Sequence, residues 1–445
     1  MKKISVFLIV AIACLTLTPA VFADSAATDD VKAEINALKA RISDLEAKLV
    51  KIETPPPTAG GHAAIEAAPS LGVPSMLQGI GISGYLDSTY NYNFNSPNVT
   101  NSTSGAPHAN VARVFDRSAN TFNINAAEVV LQKPVSTDSP AGFRTDLFFG
   151  NDAEAITSTG LGNSTDEFDL EQAYVELLIP VSKAIPGLND VDLKAGKFVT
   201  MAGAEVIESK DNWNTSRGIL FGWAIPFTHT GVRSTYTFSN GWDMCLGVVN
   251  GWDITDDNNT GKTIEGHFGF NNIALPGDSS LTVGLQYYGG PEEASDDHSW
   301  RHLGDLVIIY KTPWKPLTLM YNYDYASEQN LIADPVSGDL IDSANWWGHA
   351  AYARIDINDQ WSVSGRYEYF NDDDHVRITS VAPGAISADN YWEVTGTLEY
   401  RPWKNVITRL EYRHDDADQL VFNDHTASGI SDTQDTISGE VMFIF

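Results

Sequence analysis

Thr436-Ile-Ser-Gly-Glu-Val-Met-Phe-Ile-Phe445 alternates apolar with polar or small side chains and ends on an aromatic residue. A period of two puts Ile437, Gly439, Val441, Phe443 and Phe445 on one face of a strand, and no later residue covers that face. In water such an edge strand would be an aggregation hazard. A closed barrel in lipid has no edge, and hydrocarbon covers its outer face.

Similar segments recur back to about residue 80, each close to the roughly 10 residues that a tilted membrane strand needs. They predict about sixteen antiparallel strands, near 80–94, 120–133, 141–150, 168–179, 190–199, 229–239, 242–250, 263–273, 281–289, 303–312, 317–326, 347–357, 361–370, 391–401, 405–414 and 435–445. Tyr321, Tyr323 and Tyr325 alternate with Met320, Asn322 and Asp324, and Val363, Tyr367 and Tyr369 alternate with Ser364, Arg366 and Glu368. This alternation also suits a soluble sandwich. The connections discriminate. Ser239-Asn-Gly241, Pro313-Trp-Lys-Pro316, Asn358-Asp-Gln360 and Pro402-Trp-Lys-Asn405 fall at one rim, while the long polar segments 327–346, 371–390 and 415–434 fall at the other. Trp242, Trp314, Trp361 and Trp403 share the short-turn rim, where a row of indoles suits a headgroup interface. The fold expected is an all-β transmembrane barrel in an outer membrane.

Upstream, residues 1–23 read as a secretory signal: Lys2 and Lys3, an apolar run from Ile4 to Leu17, then Val21-Phe22-Ala23. A lipidated Cys14 is the weaker reading, because Ala11-Ile-Ala-Cys14 lacks the usual Leu. After cleavage only Cys245 remains, so no intrachain disulfide framework is expected. Residues 24–53 carry heptads, with Ile35, Ile42 and Leu49 at a and Val31, Leu38, Leu45 and Ile52 at d. Glu34, Arg41 and Lys48 at g oppose Lys39, Glu46 and Glu53 at e in a parallel copy, so a short self-complementary α-helical coiled coil is expected. Residues 54–78, rich in Pro, Gly and Ala, read as a tether, and the barrel domain as 79–445.

The net charge of -30 argues against nucleic acid as a partner. No catalytic constellation emerges: Gly277-Asp-Ser-Ser280 lies in a short turn without a placed His. No metal or other cofactor is expected either, since Asp253-Ile-Thr-Asp-Asp257 lacks the central Gly and closing Glu of a calcium loop.

The connection from Met201 to Phe227 is unlike the other loops. It carries Ile219, Leu220, Phe221, Trp223, Ile225 and Phe227 beside Glu205, Glu208, Asp211 and Arg217. That much apolar surface should pack against an inner wall and narrow the lumen. Arg354, Arg366, Arg409 and Arg413 fall on the inward faces of neighbouring strands. Two readings stand for them: a basic row facing the loop acids across water, giving a transverse field, or salt bridges to neighbours such as Asp356, Glu368, Glu393, Glu399 and Glu411.

Gly84-Tyr85, Arg113-Val-Phe-Asp116, Asn120-Thr-Phe122, Gly142-Phe143, Gly196-Lys-Phe198, Gly203-Ala-Glu205 and Gly231-Val-Arg233, in that order, resemble the bacterial outer-membrane porins, specifically the OmpL-like β-barrel porin family, over 79–445. The resemblance implies a homotrimer, an inward-folded third long loop, and a terminal Phe445 read by the barrel assembly machinery. The heptad segment is similar to the periplasmic coiled coil that precedes the sucrose porin, a relative of the maltoporin class. That likeness keeps open a saccharide channel using inward aromatics such as Tyr85, Phe148, Tyr174, Tyr288 and Tyr352. The function expected first is a passive, water-filled channel for small hydrophilic solutes. A structural tether with the coil reaching the cell wall is the remaining alternative, and no Ser, His and acid set supports a barrel lipase.

Overall fold

The computed structural model describes residues 79–97, 110–162, 167–181, 185, 187–333, 340–378, 382, 385–425 and 429–445. The expected signal (1–23), coiled coil (24–53) and tether (54–78) lie outside the described residues.

Among the described residues, sixteen antiparallel strands close into a barrel. The first eight are β1 (Gly81–Asn93), β2 (Thr121–Lys133), β3 (Ala141–Phe149), β4 (Phe168–Pro180), β5 (Leu188–Val199), β6 (Thr228–Phe238), β7 (Trp242–Val249) and β8 (Thr263–Leu275). They are followed by β9 (Ser279–Pro291), β10 (Trp300–Lys311), β11 (Leu317–Ala333), β12 (Leu340–Asp356), β13 (Trp361–Asn371), β14 (Asn390–Trp403), β15 (Val406–Ala417) and, last, β18 (Thr433–Ile444). A two-stranded hairpin, β16 (Phe422–Asn423) with β17 (Ile430–Ser431), sits in the connection before β18. Each barrel strand pairs with its sequence neighbour, and β18 returns to β1 in register, with Val441 opposite Ser88 and Phe443 opposite Leu86. Beyond the ladder, the Gly84 and Phe445 backbones exchange two hydrogen bonds of 3.0 Å.

The barrel is apolar outside and polar within. Ile82 is 68% exposed and Phe122 81%, whereas Asp146, Glu368 and Glu393 are 0% exposed on inward faces. Tyr321, Tyr325, Val363 and Tyr367 face outward, while Asn322, Asp324, Ser364 and Arg366 are buried. A water-facing sandwich would reverse this distribution, so lipid is the covering medium. Trp242, Trp314, Trp361 and Trp403 are all exposed at the short-turn rim.

The segment expected as a loop at 327–346 is mostly strand: β11 and β12 run beyond the usual span as one hairpin, with register shifts after Glu328. Backbone pairing continues there beyond the apolar stretch that the periodicity could recognise. At the opposite rim, Gly241 turns the chain with φ of 88°, a conformation open to glycine without strain.

Candidate functional site

The connection from Thr200 to Phe227 leaves the wall after β5 and re-enters it at β6, its ends tied by Thr200 N–H to Phe227 O at 2.8 Å. Between those ends it crosses the lumen and bonds to the opposite wall. Asn212 folds the tip back on itself, bonding both the N–H and the carbonyl of Val206. A single 3-10 turn, Ser209–Asp211, then brings Ser209 Oγ to Asp87 on β1 at 2.8 Å. The Thr215 and Ser216 amides donate to the Glu411 carboxylate at 2.6 and 2.9 Å, and the Ile219 amide donates to Glu368 at 2.5 Å. Backbone groups that ladder pairing would otherwise satisfy are thus satisfied by wall carboxylates. Gly218 suits this approach, because a Cβ there would lie 2.2 Å from a carboxylate oxygen of Glu368 and would displace that side chain.

The apolar half of the loop, including Ile219, Leu220, Phe221 and Phe227, forms a core with residues of other connections. Phe115 stacks on Phe221 at 5.8 Å and meets Phe227 edge-on at 5.5 Å, while Trp223 Nε1 donates to Ala112 O. The segment around Arg113 is therefore also inside the barrel. Arg113, fully buried, binds Asp116 and Asp415. Its inward position was not deduced from the sequence, although the acid three residues on, at Asp116, was a visible signal for a paired arginine.

All four expected arginines face inward, and each is ion-paired. Arg366 holds Glu393 and the loop's Glu205, both at 2.6 Å, and also donates to Ser216 O. Arg409 binds Glu399 at 2.9 Å and Glu440 at 3.2 Å while donating to the carbonyls of Ser209 and Asn212. Arg413 binds Asp415 at 2.7 Å and donates to Arg217 O. Arg354 pairs with Glu399 and Asp356 and does not reach the loop. Arg366, Arg409 and Arg413 touch the loop directly, Arg366 through its ion pair with Glu205 and the other two through loop carbonyls, so these three are not opposed to the loop across water.

The loop residues separate. Glu205 joins Arg366 and accepts from Gly218 N–H at 2.6 Å. Arg217 binds Asp152 at 3.3 Å and the Ile207 carbonyl, with its guanidinium 4.7 Å from the Phe115 ring centroid. Burial pushes the Asp152 carboxyl, in the short helix α1 (Asn151–Ala155), up to about 7 against the opposing pull of Arg217. Asp211 is exposed and takes Lys210 at 2.5 Å. Among the described residues Glu208 pairs with none of the four expected arginines; it lies beside Glu128 on β2 and Glu171 on β4. The inward aromatics Tyr85, Phe148, Tyr174, Tyr288 and Tyr352 are buried, but among the described residues only Tyr85 and Phe148 contact one another, at 6.4 Å. Tyr288 instead stacks on His229, and Tyr352 meets Trp213 edge-on. An opening of about 230 Å³ near the short-turn rim is lined by Ser83, Glu128, Gln132, Arg144 and Lys210, with Phe445 beside them.

The family described as "Putative beta-barrel porin-2, OmpL-like" matches residues 79–445. Among solved structures, the anion-selective porin from Comamonas acidovorans superimposes with a TM-score of 0.52 at 11% identity, covering 82% of this chain and 99% of that one. The outer membrane channel DcaP of Acinetobacter baumannii gives a TM-score of 0.48 at 12% identity, over 82% of this chain and 97% of that chain. Salmonella typhi OmpF, in complex with daunomycin, gives the same four figures. No curated protein matches the sequence.

Proposed function

Since the chain belongs to the OmpL-like β-barrel porin-2 family of outer-membrane porins, we propose that it forms a passive, water-filled channel for small hydrophilic solutes or ions, narrowed by the inward loop at 200–227. The observation that carries this reading is the inverted barrel, with apolar residues outside and a charged lining inside. At sixteen strands the interior is wide enough to hold water.

The preferred ion is a cation. Each arginine of the lumenal row is neutralised by a carboxylate, whereas Glu128 and Glu171 accept no hydrogen bond among the described residues. The Comamonas porin is anion-selective by its own description, and at 11% identity only its fold carries over to this chain. A saccharide channel is less well supported, because the inward aromatics form no continuous row for a sugar to slide along. Self-association as a homotrimer is part of this reading, supported by the porin resemblance. Phe445 is the assembly signal in this reading, supported by its paired backbone and half-exposed ring.

The test is a reversal potential across a KCl gradient in planar bilayers containing the purified full-length protein, with divalent ions removed. A potential of the sign for K⁺ permeation is expected. A potential of the Cl⁻ sign would overturn the selectivity, and absence of conductance would overturn the channel.

A further inference from the structure

The inward loop reaches a second wall opposite the arginines, and the chemistry there differs. On β4 the ladder skips a residue: Asp146 pairs with Gln172 and Leu147 with Leu170. The extra residue is Glu171. A bulge of this kind re-aims a side chain that strict alternation would send outward. Glu171 and Gln172, adjacent in sequence, are accordingly both buried.

Glu171 is 0% exposed, and neither of its carboxylate oxygens accepts a hydrogen bond among the described residues. The same holds for both oxygens of Glu128, which is 1% exposed. Glu208 comes from the loop, and one oxygen of each of the three residues lies within 4.8 Å of the others. Nearby cations are engaged elsewhere: Arg144 holds Asp146 at 2.8 Å, and Lys210 holds Asp211 at 2.5 Å. Two buried carboxylates that accept no hydrogen bond, beside a third that is partly exposed, are costly unless something positive sits among them.

We propose that Glu128, Glu171 and Glu208 bind one Ca²⁺ ion that clamps the inward loop to the β2–β4 wall. Oxygens of a hard cation's shell at about 2.3–2.6 Å from the ion lie at most about 5 Å apart, which the observed spacing allows. Calcium suits a set made only of carboxylates, and its flexible coordination number lets water complete the shell, whereas magnesium demands a tighter octahedron. The opening lined by Glu128 and Lys210 supplies an entry path from the short-turn side.

The full-length protein, purified in mild detergent and stripped with a chelator, would be titrated with ⁴⁵Ca²⁺ in equilibrium dialysis, and its thermal unfolding followed with CaCl₂, MgCl₂ or KCl. Wild type should bind one ion per chain more than Glu171→Gln at sub-millimolar calcium, with about 10-fold or greater loss of affinity at that site in the variant. Calcium should raise the wild-type unfolding temperature but leave that of the variant almost unmoved. Glu208→Gln, which alters the loop and leaves the wall intact, should give the same result; it provides the readout if the strand variant does not reach the heat-modifiable folded form. Equal binding by wild type and folded variant, or equal protection by Mg²⁺ or by K⁺ at matched ionic strength, would overturn the assignment. A variant more stable than wild type in chelator, with no extra calcium response in the wild type, would also overturn it, since repulsion among three ionless carboxylates then accounts for the cluster.

Discussion

The two walls that the inward loop touches are built on opposite principles. On the β13–β15 side, Glu368, Glu393, Glu399 and Glu411 each have at least one hydrogen-bonded oxygen, and Arg366, Arg409 and Arg413 reach from the wall to the loop carbonyls. On the β2–β4 side, Glu128 and Glu171 have no such partners among the described residues. One wall fixes the loop by satisfied pairing, and the other presents buried carboxyl groups without hydrogen-bond partners. The same acidic residue type is structural on the first and available to a cation on the second.

Arg366→Met should remove the difference most severely. It would leave Glu205 and Glu393 buried without their shared cation, a loss of about 3–5 kcal/mol. Lower resistance to heat-induced unfolding, together with higher and noisier single-channel conductance, is the expected result. Unchanged conductance would mean that the loop is not held from this wall. Glu205→Gln should act in the same direction but less strongly, by about 1–2 kcal/mol, because Arg366 keeps Glu393 and the amide oxygen still accepts from it.

The smallest effect concerns pH. Asp152 sits at about 7, above its ordinary 3.8, because burial penalises its charged form. The folded chain therefore retains a proton that the unfolded chain gives up, and the resulting stability is present at low pH and lost as pH rises through about 7. Asp152→Asn should flatten the fall in unfolding temperature between about pH 5 and 8, leaving the shares of Glu292, raised by burial to about 7, and Asp253, raised to about 6. An unaltered slope would show that the packing around Arg217 is insensitive to this charge.

Much of the barrel was legible because a strand in lipid must alternate. The sixteen segments, the return of the last strand to the first and the inward loop follow from period and from an apolar composition too great for open water. The lining was less legible because parity fails where the ladder bulges: Glu171 belongs to the lumen only through the skipped pairing in β4. The arginine row could be placed on inward faces, but its partners include loop carbonyls, which no side-chain pattern reports. Glu208 was recognised as a loop acid, yet its neighbours come from strands beginning near residues 121 and 168, brought together only by closure. The extended β11–β12 hairpin was missed because strand pairing needs no apolar face once it leaves the membrane.

The bond from Ser216 to Glu411 spans 195 positions of chain, and that from Arg366 to Glu205 spans 161. During synthesis the loop emerges long before its acceptors and cations exist. Until the closing strands arrive, its amides and its acids must be held by water or by a helper, so the throat of the barrel is among the last parts to become native. A chain stalled before β13 could form hairpins and the loop's contacts with β1, yet would lack the carboxylates and guanidinium groups that hold the loop to the β13–β15 wall, which makes this segment a record of whether assembly reached its end.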